Sequence, residues 1–174
     1  HSAQHSLGAF CSGGTIANMT ALWVARNRLL QADGNFGGIA ADGIAAGLQH
    51  YGYSRLTVVV SERGHYSLSK AADILGIGRR NLVSVPTDSN NRIRIDKLRE
   101  TCESIAAEGG KVLALVGVAG TTETGHIDPL DEMADVAEDI GAHFHIDAAW
   151  GGATLLSEQH RSLLHGVERA DSIT

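Results

Sequence analysis

Four apolar runs rich in β-branched residues punctuate the chain: Leu56–Ser61 (LTVVVS), 82–86 (LVSVP), 112–119 (VLALVGVA) and 143–148 (HFHIDA). Each is nearly continuous rather than alternating, the pattern of strands covered on both faces. Amphipathic segments lie between them. Over 128–140, Leu130, Met133, Ala134, Ala137 and Ile140 recur at helical spacing. Asp128 is placed to cap that helix, with Pro129 at its first position and Gly141 just past its end. Asp96 is placed to cap a similar helix carrying Leu98, Cys102, Ile105 and Ala106, while Leu68, Ala71, Ala72 and Leu75 mark another that Gly76 stops. Two more helical segments, 15–30 and roughly 38–51, precede the first strand and are separated by a Gly-rich turn at 33–38.

Strand and helix thus alternate over short connections, with no internal repeat, low-complexity tract or linker. The order predicts an α/β fold, a mainly parallel sheet with helices on both faces linked by right-handed crossovers. Ligands of such sheets bind where the C-terminal ends of the strands meet the following loops. Asp147 ends the fourth run. It has no Lys or Arg within ten residues on either side, and a bare buried carboxylate is expensive, so the sequence poses the question of its cation.

Composition narrows the picture. At 174 residues and 43% hydrophobic, the chain suits one domain with a sizeable core. The formal charge of −6, without a Lys/Arg run, argues against a nucleic-acid partner. No apolar run approaches the ~20 residues of a membrane span. Cys11 and Cys102 are too few for a disulfide framework, which fits a reducing cytoplasm. The chain opens HSAQHS, with neither a Met nor a signal-peptide pattern, and closes ERADSIT, where 171–174 resembles the opening of a strand. These ends lead us to expect an internal segment of a longer protein.

Several constellations carry candidate chemistry. In Ser12-Gly-Gly-Thr15, two glycines and a hydroxyl stand at a helix N-terminus, a cradle for an anion; the same segment also reads as a plain Gly-rich helix start. It matches neither the G-x-G-x-x-G nor the Walker pattern. Gly120-Thr-Thr-Glu-Thr-Gly125 places hydroxyls after the third strand, either for a ligand's oxygens or for a turn into the Asp128 cap. His65 follows the first strand and suits either stacking on a ligand or plain surface exposure. His143, His145 and Asp147 share one strand face. As a metal set they fail on reach, because positions i and i+4 lie about 13 Å apart at ~3.3 Å per residue. A pair helped by a distant ligand stays open. A Ser–His–Asp hydrolase lacks its G-x-S-x-G elbow. Together, a stacking group, hydroxyls, a carboxylate and a helix N-terminus suit a flat, phosphorylated, protonatable ring such as pyridoxal phosphate.

The stretches FCSGGTIANMTAL (10–22), SERGHYSLSKAADILGIG (61–78), AGTTETGHIDPL (119–130) and the closing 143–174, with its H-x-D-A-A-W-G-G and ADSIT, carry a resemblance. Over essentially its whole length, the chain resembles the group II pyridoxal-phosphate-dependent amino-acid decarboxylases, most closely the branch of glutamate decarboxylase and bacterial aspartate 1-decarboxylase. The resemblance implies part of the large domain of a fold-type I enzyme, acting as a cytoplasmic homodimer on a small acidic amino acid. It implies that Gly14 and Thr15 hold the cofactor phosphate, His65 stacks on the ring, and Thr122 sits beside the cofactor's oxygens. Asp147 would pair with the pyridine nitrogen and Ala149 would pack on the other ring face; His65 and Asp147 would be the catalytic pair. No metal is implied. The family's Schiff-base lysine falls in a His-Lys pair just past the point matching Thr174, and none of Lys70, Lys97 and Lys111 matches it. Another fold-type I enzyme, a lyase or aminotransferase, and a lysine-less non-catalytic subunit remain as alternatives.

Overall fold

A computed structural model of the chain describes residues 6–174; the opening HSAQH, part of the N-terminal reading above, lies outside the described residues. Strands β1 (Leu56–Ser61), β2 (Leu82–Val85), β3 (Lys111–Val118), β4 (His143–Asp147) and β5 (Ser172–Ile173) form one sheet. Its order is β2-β1-β3-β4-β5, and every pairing is parallel. All four sequence-predicted strands are present, and the strand opening seen in 171–174 pairs with β4 as the sheet's fifth member.

Helices α1 (Gly14–Leu29), α2 (Ile39–Tyr51) and α3 (Ser67–Ile74) belong to one face, and α4 (Ile95–Ala107) and α5 (Leu130–Ile140) to the other. Two cores result. Leu22, Leu68, Ala72, Val58, Val60 and Val116 pack together on the α1–α3 side. Leu98, Ile105, Met133, Leu115, Phe144 and Ile146 do so on the α4–α5 side. Burial on both sides explains the unbroken apolar runs.

One irregularity sets which side chains face which helices. The β1–β3 register steps from Thr57↔Val112 to Val58↔Ala114, so Leu113 is an extra residue in β3. A one-residue insertion reverses the alternation. Val112 and Leu115 therefore share the α4–α5 core, while Leu113 and Ala114 face α1–α3. A smaller departure is Gly43, whose φ of 80° breaks the expected single helix at 38–51.

Neither proposed aspartate cap forms. Pro129 takes the N-cap position of α5, and Arg94 that of α4. Asp96 lies inside the first turn of α4 and pairs with the Arg94 guanidinium. Asp128 is drawn elsewhere: its carboxylate accepts the backbone N–H groups of Ile93 (2.8 Å) and Val118 (2.9 Å). Two otherwise orphaned buried donors outweigh a helix end that Pro129 can open without a side-chain acceptor. The helix stops are as expected, with Gly141 (φ 60°) and Gly76 (φ 72°) in the left-handed region.

Candidate active site

The chain runs from β1 outward to β2, then returns to place β3 on the opposite side of β1. Reversals of this kind open a crevice at the carboxyl ends of the strands. A cleft of about 250 Å³ lies there, lined by Gly14, Thr15 and Asn18 of α1, Arg63 and His65 after β1, Gly120 and Thr122 after β3, and Asp147, Ala149 and Trp150 at the end of β4. The six residues singled out from the sequence, Gly14, Thr15, His65, Thr122, Asp147 and Ala149, thus meet in one place. Of several roomier concavities, two, of about 340 and 460 Å³, lie by Arg28, His143 and Asp171 and by His126, Asp131 and His165. Neither joins a helix N-terminus to strand ends.

Asp147 forms the floor. It is 7% exposed; Oδ2 accepts from Asn18 Nδ2 at 2.8 Å and Oδ1 from the Ala149 N–H at 3.3 Å. No ion pair among the described residues includes it. The first turn of α1 holds no acidic residue, so no carboxylate of the helix itself offsets its positive end at the cleft. His65 is half-buried, and its Nδ1 accepts the Ser67 N–H at 3.3 Å.

The two threonines after β3 divide their work. Thr121 is buried, with its hydroxyl against Thr124 Oγ1 (2.7 Å) and the His126 N–H (3.1 Å), whereas Thr122 is exposed to the cleft. Trp150 roofs this turn. A Cβ at Gly120 would lie 2.9 Å from the indole and one at Gly125 3.5 Å away. The glycines flanking TTET and the tryptophan of AAWGG are therefore one packed unit.

Sequence reasoning passed over Asn18, Arg63 and Trp150. The available signal for Asn18 was a polar residue on the apolar side of α1, one turn beyond the Gly14-Thr15 pair. Its Nδ2 also donates to Ser67 Oγ at 3.0 Å. His143 and His145 both reach Ser172 Oγ, at 2.7 and 2.9 Å, and His145 Nε2 donates to Asn18 Oδ1 at 3.1 Å. These side chains are engaged with one another, and no group of three or more His, Cys, Asp or Glu among the described residues is placed to hold a metal. The lysines are equally accounted for. Lys70 sits over the Tyr66 ring, Lys97 pairs with Glu100, and Lys111 donates to the Ile140 carbonyl. None lines the cleft.

Two buried groups titrate in opposite senses. Burial pushes the Asp128 carboxyl up to about 6, against the pull of its two N–H donors. Burial lowers His145 to about 4, against the nearby Asp147 carboxylate. The raised acid binds protons more tightly when folded, so its share of stability falls as pH rises from about 4 through 6. The depressed histidine does the reverse, gaining stability as pH rises from about 4 to its ordinary value. Asp128→Asn removes only the first. Urea denaturation of that variant between pH 4.5 and 6.5 should show stability rising with pH more steeply than in wild type, by up to ~1.4 kcal/mol per pH unit. An unchanged slope would contradict this assignment.

The chain's likenesses agree with this geometry. The pyridoxal-dependent decarboxylase conserved domain matches residues 1–174. Aspartate 1-decarboxylase of Aliivibrio fischeri is 62% identical over 174 residues, covering 100% of this chain and 32% of that protein. Acidic amino acid decarboxylase GADL1 of Mus musculus is 39% identical over 166 residues, covering 95% and 28%. Among solved structures, apo mouse CSAD superposes with a TM-score of 0.85 at 37% identity, over 95% of this chain and 32% of that one. Oryza sativa TDC with PLP and tryptamine gives 0.79 at 29% identity, over 94% and 31%. The chain spans about a third of the length of the relatives it matches.

Proposed function

The chain belongs to the pyridoxal-dependent decarboxylase family, and on that premise we propose that it forms an internal part of the large domain of an enzyme removing the α-carboxylate of aspartate or glutamate. The observation that carries the proposal is the cleft at the strand reversal, with a buried carboxylate at its floor and a helix N-terminus at its wall. Those groups fit pyridoxal 5′-phosphate. The first-turn N–H groups at Gly14 and Thr15 suit a phosphate. Asp147, which has no Lys or Arg partner, suits a protonated ring nitrogen. Close quarters at Gly14, where a Cβ would stand 3.1 Å from Ala149 Cβ, suit a flat ligand.

Bound there, the cofactor supplies an electron sink for the pair left at the substrate Cα when CO2 departs. The chain's own residues do the rest. Asp147 would favour a proton on the ring nitrogen by offering it an anion. His65 would lie against one ring face and Ala149 against the other, holding the ring plane for cleavage of the Cα–carboxylate bond. With Nδ1 accepting from the Ser67 N–H, a neutral His65 ring carries its proton on Nε2. Thr122 would offer a hydroxyl to the cofactor's oxygens. The covalent lysine is proposed to come from outside these 174 residues, since none of the three present lines the cleft.

The acidic substrate is supported by the names of the similar proteins, aspartate 1-decarboxylase and acidic amino acid decarboxylase. Arg63 on the cleft wall adds a cation for a side-chain carboxylate. The enzyme is proposed to be a cytoplasmic homodimer with no nucleic-acid or membrane partner; among the described residues no helix is long and apolar enough to cross a membrane. The test is direct. Full-length protein loaded with pyridoxal phosphate is given L-aspartate and L-glutamate in turn. CO2 and the matching ω-amino acid should form in equal amounts. Keto acid without CO2 would transfer the reading to an aminotransferase, and absence of bound cofactor would favour a non-catalytic subunit.

A further inference from the structure

Behind Asp147 runs a chain of hydrogen bonds that reaches from the strand backs to the carboxylate. Asn18 is 1% exposed and His145 is fully buried. Asn18 Nδ2 serves two acceptors, Asp147 Oδ2 at 2.8 Å and Ser67 Oγ at 3.0 Å. An amide turned the other way would set its carbonyl oxygen against the carboxylate. Asn18 Oδ1 therefore points to His145 Nε2, 3.1 Å away, and that nitrogen must carry the proton. His145 Nδ1 is then the bare nitrogen, and it accepts from Ser172 Oγ at 2.9 Å. Ser172 has one proton to give, so its oxygen accepts in turn from His143 Nε2 at 2.7 Å. From His143 to Asn18 each link donates toward Asp147, and the second Asn18 amide proton goes to Ser67.

We propose that His145 is a positioning residue for Asp147: with its proton held on Nε2 by Ser172, it fixes the Asn18 amide so that the NH2 group always faces the carboxylate meeting the cofactor ring. The inference deepens the proposed function and rests on it. Its physical basis is the cost of an orphaned acceptor. Without a donor at position 145, Asn18 Oδ1 is buried and unpaired, and the amide has no reason to prefer one orientation except the carboxylate itself. Both the aim and the charge environment of Asp147 then loosen. Burial lowers the His145 imidazole to about 4, which favours the neutral ring that this geometry needs.

The experiment uses the full-length protein, with H145L to remove the donor and H145Q to keep an N–H near the Nε2 position. Three quantities are read: the dissociation constant for pyridoxal phosphate, the pH dependence of the bound cofactor's absorbance, and the ¹⁵N spectrum of histidine-labelled, cofactor-free wild type. The His145 resonance is assigned by its loss in H145Q. H145L should bind the cofactor roughly tenfold more weakly, the cost of one buried unpaired acceptor, and its absorbance titration should move. H145Q should recover most of both, and the wild-type spectrum should show neutral, Nε2-protonated imidazole. Equal impairment of H145L and H145Q, or an Nδ1-protonated His145, overturns the proposal. The spectrum and H145Q decide it even if H145L does not fold. Wild-type protein that binds no cofactor sinks the functional reading and this inference with it. Wild type that binds cofactor, matched in affinity and spectrum by H145L, sinks this inference alone.

Discussion

Asp147→Ala in the full-length protein is expected to lower kcat/KM by about 10²–10³-fold or more, the usual loss on removing one preorganised electrostatic partner, and to weaken cofactor retention at the same time. The reason lies in how little else surrounds that end of the cleft. Among the described residues, Asp147 is the only Asp or Glu lining it. Without it, Asn18 Nδ2 and the Ala149 N–H lose their acceptor, and the ring nitrogen proposed to bind there would meet donors in place of an anion. A donor facing that nitrogen disfavours its protonated form, so the effect should exceed that of deleting a passive contact. Steady-state kinetics on both acidic substrates, with cofactor content measured after dialysis, checks this. Turnover equal to wild type would remove Asp147 from the mechanism.

A second large effect is expected from a single methyl group. Gly151→Ala should destabilise the protein by about 1–3 kcal/mol through overpacking, whereas Gly152→Ala should be nearly silent. The backbone at Gly151 is ordinary (φ −88°), so conformational freedom is not the issue. Space is. A Cβ on Gly151 would fall 2.2 Å from the Ala119 carbonyl oxygen and 2.9 Å from its carbon, whereas one on Gly152 would meet only Ala148 Cβ, at 3.3 Å. Gly151 also donates its N–H to Ala119 O at 3.0 Å, joining the loop after β4 to the loop after β3. Those loops carry Ala149 and Thr122, so parting them opens the cleft. A shift on the order of 1 Å in such a site is worth about 10²-fold in rate. Thermal denaturation and cofactor affinity of the two variants, side by side, would show the asymmetry; equal effects would contradict the packing account.

Much of this site was legible in advance because its signals are local. Gly14-Thr15 announces a helix start, His65 and Thr122 follow apolar runs, and Asp147 ends one. Strand order then brings them to one edge. Asn18 was not legible: its partners, Ser67, His145 and Asp147, lie 49, 127 and 129 residues away. Asp128 misled for a related reason. Asp-Pro before an amphipathic run is a sound helix-start signal, yet the unpaired N–H groups of Ile93 and Val118 exist only once β3 has met the segment after β2. The extra residue at Leu113 was hidden too, since an all-apolar run has no alternation to interrupt.

The sequence by itself determined the alternation of strand and helix, the doubly covered sheet and which polar residues stand at the strand ends, because each follows from the spacing of apolar residues and from local turn chemistry. Only the tertiary structure decided what each polar group at those ends touches. A buried carboxylate or amide takes the donors and acceptors that folding brings to it, and those come from distant parts of the chain. That is why Asp147 is held by Asn18 and the Ala149 N–H and, among the described residues, has no ion-pair partner.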